Sequence, residues 1–120
     1  MKLYNGYIFD MDGVIYRGDE VIQDAINAIN ILKSKSCKVM FITNNSSKLS
    51  EEYVAKIKEI GVSPVADNEV MTSGDIAALY LKNEIKQNPQ KKKVLCVGSD
   101  AVKPLLKRAG LEIIAPKEYK

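Results

Sequence analysis

Tyr7-Ile8-Phe9-Asp10-Met11-Asp12-Gly13-Val14-Ile15-Tyr16 is an apolar run that stops on two carboxylates and passes at once into a glycine. Leu3–Phe9 reads as a short buried strand. In an open parallel sheet, ligands bind just beyond the carboxyl ends of the strands, where Asp10 and Asp12 would stand. The i, i+2 spacing puts both carboxylates on one side if the strand continues past Asp10. Gly13 lets the chain turn away and lets a ligand approach the backbone.

Two acids held together can bind a hard cation such as Mg²⁺, which takes oxygen ligands. One can also attack phosphorus while the other moves protons. Asp-Gly is equally a common turn, and the pair alone does not decide between the two readings. Spacing removes two competitors. An EF-hand loop counted from Asp10 needs an acid or amide where Val14 stands and a glycine where Ile15 stands. Gly13 and Gly18 have the internal spacing of a P-loop, but Asp19 occupies the lysine position.

Working outward, 120 residues suffice for one small domain or part of a larger one. A hydrophobic content of 46% with 28% charged residues fits a globular protein. No apolar stretch is long enough to span a bilayer, and the N-terminus lacks a signal-peptide pattern, so the default expectation is a cytoplasmic protein without membrane contact. The net charge of +3 is small and scattered, which argues against nucleic acid as a partner. Lys91-Lys92-Lys93 reads as a solvated loop before a strand. Cys37 and Cys96 lack metal or redox spacing and are expected as buried free thiols. The absence of histidine excludes Ser-His and Cys-His mechanisms within the chain.

Ile22, Ala25, Ile26, Ile29 and Leu32 recur at helical spacing, predicting a helix over about 21–34. Cys37–Thr43 reads as a second buried strand, ending on Thr43-Asn44-Asn45-Ser46-Ser47. This polar cluster is either an ordinary strand-to-helix loop or an anion site, with the Thr43 hydroxyl and nearby N–H groups directed at a phosphate. Ser50 is placed to cap a helix buried through Tyr53, Ile57 and Ile60 and ended by Gly61. Then come a strand over Glu69–Thr72, a helix near 75–87 with Ile76, Leu79 and Tyr80 facing inward, and a strand at Val94–Val97. A helix carrying Leu105, Leu106 and Ala109 and a last strand at Leu111–Ile114 follow. Pro104 leaves the start of that last helix open. Strands alternating with helices predict an α/β fold, a Rossmann-like parallel sheet with right-handed crossovers and helices on both faces. Its order places the 3–9 strand beside the 39–42 strand, with the 69–72 strand further out.

Phe9-Asp10-Met11-Asp12-Gly13-Val14-Ile15-Tyr16-Arg17-Gly18 resembles the first motif of the haloacid dehalogenase superfamily, and Phe41-Ile42-Thr43-Asn44-Asn45-Ser46-Ser47 resembles its second. Both are similar to the NagD-like and 4-nitrophenyl-phosphatase-like branch. The resemblance implies a Mg²⁺-dependent phosphatase of small phosphomonoesters. Asp10 would be the nucleophile and Asp12 the general acid and base. Asp10 and Asp12 would hold the metal, Asp12 through its backbone carbonyl, and Thr43, Asn44 and Asn45 would lie at the phosphate. The family also carries a later lysine motif, further acids and a cap domain, which the residues after Ser47 do not supply in order. Residues 1–88 are accordingly expected to be the N-terminal part of the core, and 89–120 a strand-helix-strand unit at the start of a cap. The alternative is a catalytically incomplete chain acting as a phosphate- or metal-binding module. A small phosphorylated metabolite is the expected partner, with self-association through an open sheet edge or a missing C-terminal part completing the fold.

Overall fold

The computed structural model of the chain describes residues 4–114. These include strands β1 (Gly6–Asp10), β2 (Tyr16–Arg17), β3 (Glu20–Val21), β4 (Lys38–Thr43), β5 (Val70–Thr72), β6 (Lys93–Leu95) and β7 (Glu112–Ile114). The helices are α1 (Gln23–Ser34), α2 (Ser50–Glu59), α3 (Ser73–Gln87) and α4 (Val102–Arg108). The α/β class and the parallel pairing agree with the alternation of apolar runs and helical periods. Leu3, at the expected start of the first strand, lies outside the described residues. No helix among the described residues is long and apolar enough to cross a membrane. The described residues form two compact units, 4–44 with 50–71, and 45–49 with 72–114.

In the first unit the sheet order is β1-β4-β5. β1 and β4 run parallel in register from Gly6↔Lys38 to Asp10↔Ile42. Burial alternates along β4: Val39, Phe41 and Thr43 are buried, and the residues between them are not. Val39 and Phe41 join Ile26 and Ile29 of α1 and Tyr53, Val54 and Ile57 of α2 in one core cluster. Both strands were expected to be buried, but β1 has no buried residue, and Ile8 is 71% exposed. The cause is topology. β1 is the edge of its sheet, and Ile8 belongs to the alternate side chains that point away from the packed cluster.

Polar contacts fix the periphery of this unit. Lys33 Nζ donates to both carboxylate oxygens of Glu69 at 2.8 and 2.7 Å, and Glu69 Oε2 also accepts the Ala66 N–H at 3.1 Å. The Asn30 side chain donates to the Gly61 carbonyl at 2.9 Å and accepts the Ser63 N–H at 3.1 Å. Gly61 ends α2 in the left-handed region, φ 103°, which a residue with a Cβ enters only at a cost.

In the second unit β6 and β7 form a separate parallel pair. α3 begins at a reciprocal cap: the Thr72 hydroxyl accepts the Asp75 N–H at 3.1 Å, and Asp75 accepts the Thr72 N–H at 2.8 Å. The inward face of α3 is not the expected one. Ile76, Leu79 and Tyr80 are exposed, whereas Gly74 and Ala78 are buried. Leu81 and Ile85 pack with Ala78 against Leu105, Leu106 and Leu111. Two stripes on this helix satisfy the 3.6-residue period, and the one with small residues lets α4 approach. A Cβ on Gly74 would stand 3.1 Å from Leu105 Cδ1 and 3.4 Å from the Thr72 hydroxyl oxygen. Gly74→Val is therefore expected to lower stability by about 1–3 kcal/mol in a urea melt. An unchanged midpoint would show that Leu105 swings aside without loss.

α4 starts at Val102, two residues before Pro104. Proline is accommodated there because the first-turn N–H groups of a helix have no intrahelical acceptor. Cys37 and Cys96 are free and only partly buried, less enclosed than expected. Lys91, Lys92 and Lys93 are exposed as expected, and Lys92 pairs with Glu112 at 2.6 Å.

Candidate active site

Met11 carries the geometry of the acid pair. Its side chain is fully buried in the core of the first unit, while Asp10 and Asp12 on either side are exposed. Anchoring the middle residue inward turns both flanking carboxylates outward, the consequence of the period of two. The Met11 carbonyl accepts from the N–H groups of Val14, Ile15 and Tyr16 at 3.2, 3.0 and 3.5 Å, which rolls the chain over just beyond the strand. Gly13 takes φ 81° in this turn and donates its N–H to the Tyr16 carbonyl at 2.7 Å. An alanine there would enter the left-handed region.

The stretch after the acid pair is a two-rung antiparallel hairpin, β2–β3, with pairs Tyr16↔Val21 and Arg17↔Glu20. It is joined to the acid pair by a bridge between Asp12 and Tyr16. Ile15 is fully buried and Tyr16 nearly so.

The register of β1 with β4 places the second motif. Asp10 pairs with Ile42, so Thr43 stands one residue beyond that rung at the same edge of the sheet. Thr43 is buried at 5% exposure, and Asn44 after it is exposed. Asp10, Asp12, Thr43 and Asn44 thus share one end of the first unit. Asn45 belongs to the second unit, where its side-chain oxygen accepts the Ser47 N–H at 2.9 Å in a turn of the Asx kind.

Electrostatically the edge is acidic. Among the described residues no lysine or arginine pairs with either carboxylate. The Asp10 carboxylate accepts the Met11 N–H at 2.8 Å through one oxygen. Burial, followed by the neighbouring Tyr53 and the Asp12 and Asp10 carboxylates, pushes the Tyr16 phenol up to about 12. Tyr16 therefore stays neutral at any physiological pH and adds no charge to the acids. Two exposed carboxylates with no protein cation offer a hard, all-oxygen donor set. That set fits Mg²⁺, which is bound through one or two carboxylates together with water and substrate phosphate. No group of three or more His, Cys, Asp or Glu that could hold a metal by itself occurs among the described residues.

Two residues at this edge were not singled out from the sequence. Tyr16 ends the quoted motif, and its burial beside the acids is a tertiary fact. Lys56 lies on α2 with its ammonium 3.7 Å from the Tyr16 ring centroid. The available signal was its position three residues after Tyr53, on the flank of the buried helical stripe.

Residues 7–112 match the haloacid dehalogenase-like hydrolase family. Phosphoglycolate phosphatase 2 of Arabidopsis thaliana is 36% identical over 104 residues, covering 87% of this chain and 34% of the relative. A solved p-nitrophenyl phosphatase from Archaeoglobus fulgidus superposes with a TM-score of 0.81 at 27% identity, covering 95% of this chain and 42% of that one. A glycerol phosphate phosphatase from Mycobacterium tuberculosis, solved in complex with magnesium, gives a TM-score of 0.73 at 26% identity, covering 96% and 33%. The chain spans about a third to two-fifths of the length of these proteins. With the family match running through nearly all of its described length, the chain belongs to the haloacid dehalogenase-like hydrolases.

Proposed function

We propose that this chain carries the nucleophile and the phosphate-binding strand ends of a Mg²⁺-dependent phosphatase acting on small phosphomonoesters through an aspartyl-phosphate. The supporting observation is the parallel register of β1 and β4, which brings Asp10 and Asp12 to the same sheet edge as Thr43 and Asn44. Asp10 and the backbone carbonyl of Asp12 are the proposed metal ligands. When bound, Mg²⁺ offsets the repulsion between these carboxylates and an anionic phosphate. An Asp10 oxygen attacks phosphorus, the bond from phosphorus to the leaving oxygen breaks, and Asp12 gives that oxygen its proton. Asp12 then takes a proton from water as the water oxygen attacks phosphorus. The bond from phosphorus to Asp10 breaks, inorganic phosphate leaves, and both acids return to their starting state. Thr43 and the Asn44 N–H are assigned to the transferring phosphoryl group. β6, α4 and β7 are proposed as the start of the part that shapes the substrate pocket. The names of the relatives, phosphoglycolate and p-nitrophenyl phosphatases, support phosphomonoesters as the substrate class.

The test is hydrolysis of p-nitrophenyl phosphate by the native polypeptide, whatever its length, with Mg²⁺ and with the metal chelated. Turnover only with the metal is expected, and turnover indifferent to chelation would remove the metal from the reading. A second reading is favoured by the short span of the relatives that the chain covers. In it, residues 1–120 alone bind Mg²⁺ and phosphate without turning over. Turnover of the isolated chain at the rate of a longer relative would rule this out.

A further inference from the structure

We propose that Lys56 is a positioning residue for the acid pair: from α2 it holds the β2–β3 hairpin in place, and through the hairpin it holds Asp12. Its consequence for catalysis rests on the phosphoryl-transfer reading of the site. The Lys56 ammonium makes two contacts with the hairpin. It lies 3.7 Å from the Tyr16 ring centroid, inside the range of a cation–π contact, and it donates to the Gly18 carbonyl at 3.2 Å. One charged group thus grips both the first strand of the hairpin and its turn.

The hairpin depends on the contacts it makes with the rest of the unit. It has only two rungs, and a two-stranded ribbon of that length is marginal by itself. α2 is a firm base for it, because Tyr53, Val54 and Ile57 are buried in the core of the same unit. The link to the acids runs through the backbone. Tyr16 bridges to Asp12, and the Tyr16 carbonyl accepts the Gly13 N–H at 2.7 Å. Any movement of Tyr16 is therefore passed to the peptide units on either side of Asp12.

The test uses Lys56→Met, which keeps the length of the stem and loses the charge, and Lys56→Arg, which restores a cation and donors. Amide exchange in the native polypeptide is read by NMR at Gly13 and at Ile22, whose N–H donates to the Ile15 carbonyl at 3.1 Å. Ile60, bonded to the Lys56 carbonyl at 3.0 Å, reports on α2 itself. Lys56→Met is expected to speed exchange at Gly13 and Ile22 by about tenfold, leave Ile60 unchanged, and be rescued by Lys56→Arg. Unchanged exchange at Gly13 and Ile22 overturns the proposal, and so does a loss of protection that includes Ile60 equally. A Mg²⁺ titration followed at the Asp10 and Asp12 carboxyl carbons adds the functional arm. Lys56→Met is expected to weaken Mg²⁺ binding by about tenfold, as is typical when a group supporting metal ligands is lost. Wild-type carboxyl signals that ignore Mg²⁺ would reject the metal-dependent reading of the site, while the exchange experiment still decides the role of Lys56.

Discussion

Asp10→Asn is expected to lower phosphatase turnover of the native polypeptide by about 10³-fold or more while leaving its melting transition in place. The carboxamide has the shape of the carboxylate, and its oxygen can still accept the Met11 N–H that Asp10 accepts at 2.8 Å. Asp10 is exposed, so no packing is lost. What disappears is the anionic oxygen proposed to attack phosphorus and the charge proposed to help hold the metal. Asp12→Asn makes the complementary case. Loss of a general acid typically costs about 10²–10⁴-fold. That cost should be smaller for p-nitrophenyl phosphate, whose leaving group needs little protonation, than for an alkyl phosphate. Rates for both variants on both ester classes check this, and an Asp10→Asn protein that still turns over would place the nucleophile elsewhere.

The 120-residue chain is expected to self-associate, or to be a marginal monomer, because β1 is the open edge of a parallel sheet. Among the described residues no strand pairs with its outer side. Ile8 and Ile42 are exposed on the face away from the packed core. A groove bordered by Gly6, Ile8, Lys38, Met40, Asn68 and Glu69 lies at the end opposite the acids. Parallel sheets are ordinarily covered on both faces, and an apolar edge is a template for another strand. Each uncovered large aliphatic side chain forgoes roughly 1.5–3 kcal/mol, against net domain stabilities of about 5–15 kcal/mol. Sedimentation over a concentration series should show growth in mass that Ile8→Lys suppresses, since a charge on an edge strand disfavours pairing. A single monomeric species with a steep, well-stabilised denaturant transition would show that the chain manages its edge alone.

The first motif was readable because its information is local. Asp10, Met11 and Asp12 alternate with the strand, and the burial of Met11 needs only that alternation. The neighbourhood of Asp10 and Thr43 followed from two apolar runs separated by a helical period. What escaped was set by packing choices with equivalent sequence signals. On α3 the larger residues Ile76, Leu79 and Tyr80 suggested the inward face, yet the stripe through Gly74, Ala78 and Leu81 packs because it is thinner. The contact of Lys56 with Tyr16 joins residues far apart in the chain, and neither residue type announces it. Along β1 the hydrophobic run correctly indicated a strand with two apolar sides, but a run of side chains does not say whether both sides are covered.

The register of β1 against β4 also bears on how the molecule folds. Every rung joins residues the same distance apart, 38 − 6 = 42 − 10 = 32. A parallel pair has no tight turn from which to zip, so its first rung bears the whole entropic cost of closing the intervening loop. Later rungs add almost none. Asp10 and Ile42 are the last of these rungs, with Thr43 just beyond. Asp10, Asp12 and Thr43 are therefore brought together by the same closure that forms the sheet, with no later search of their own. Substitutions in α1 that slow this closure would delay assembly of the active-site edge by the same factor, so refolding rate and recovery of metal binding should rise together in one kinetic phase.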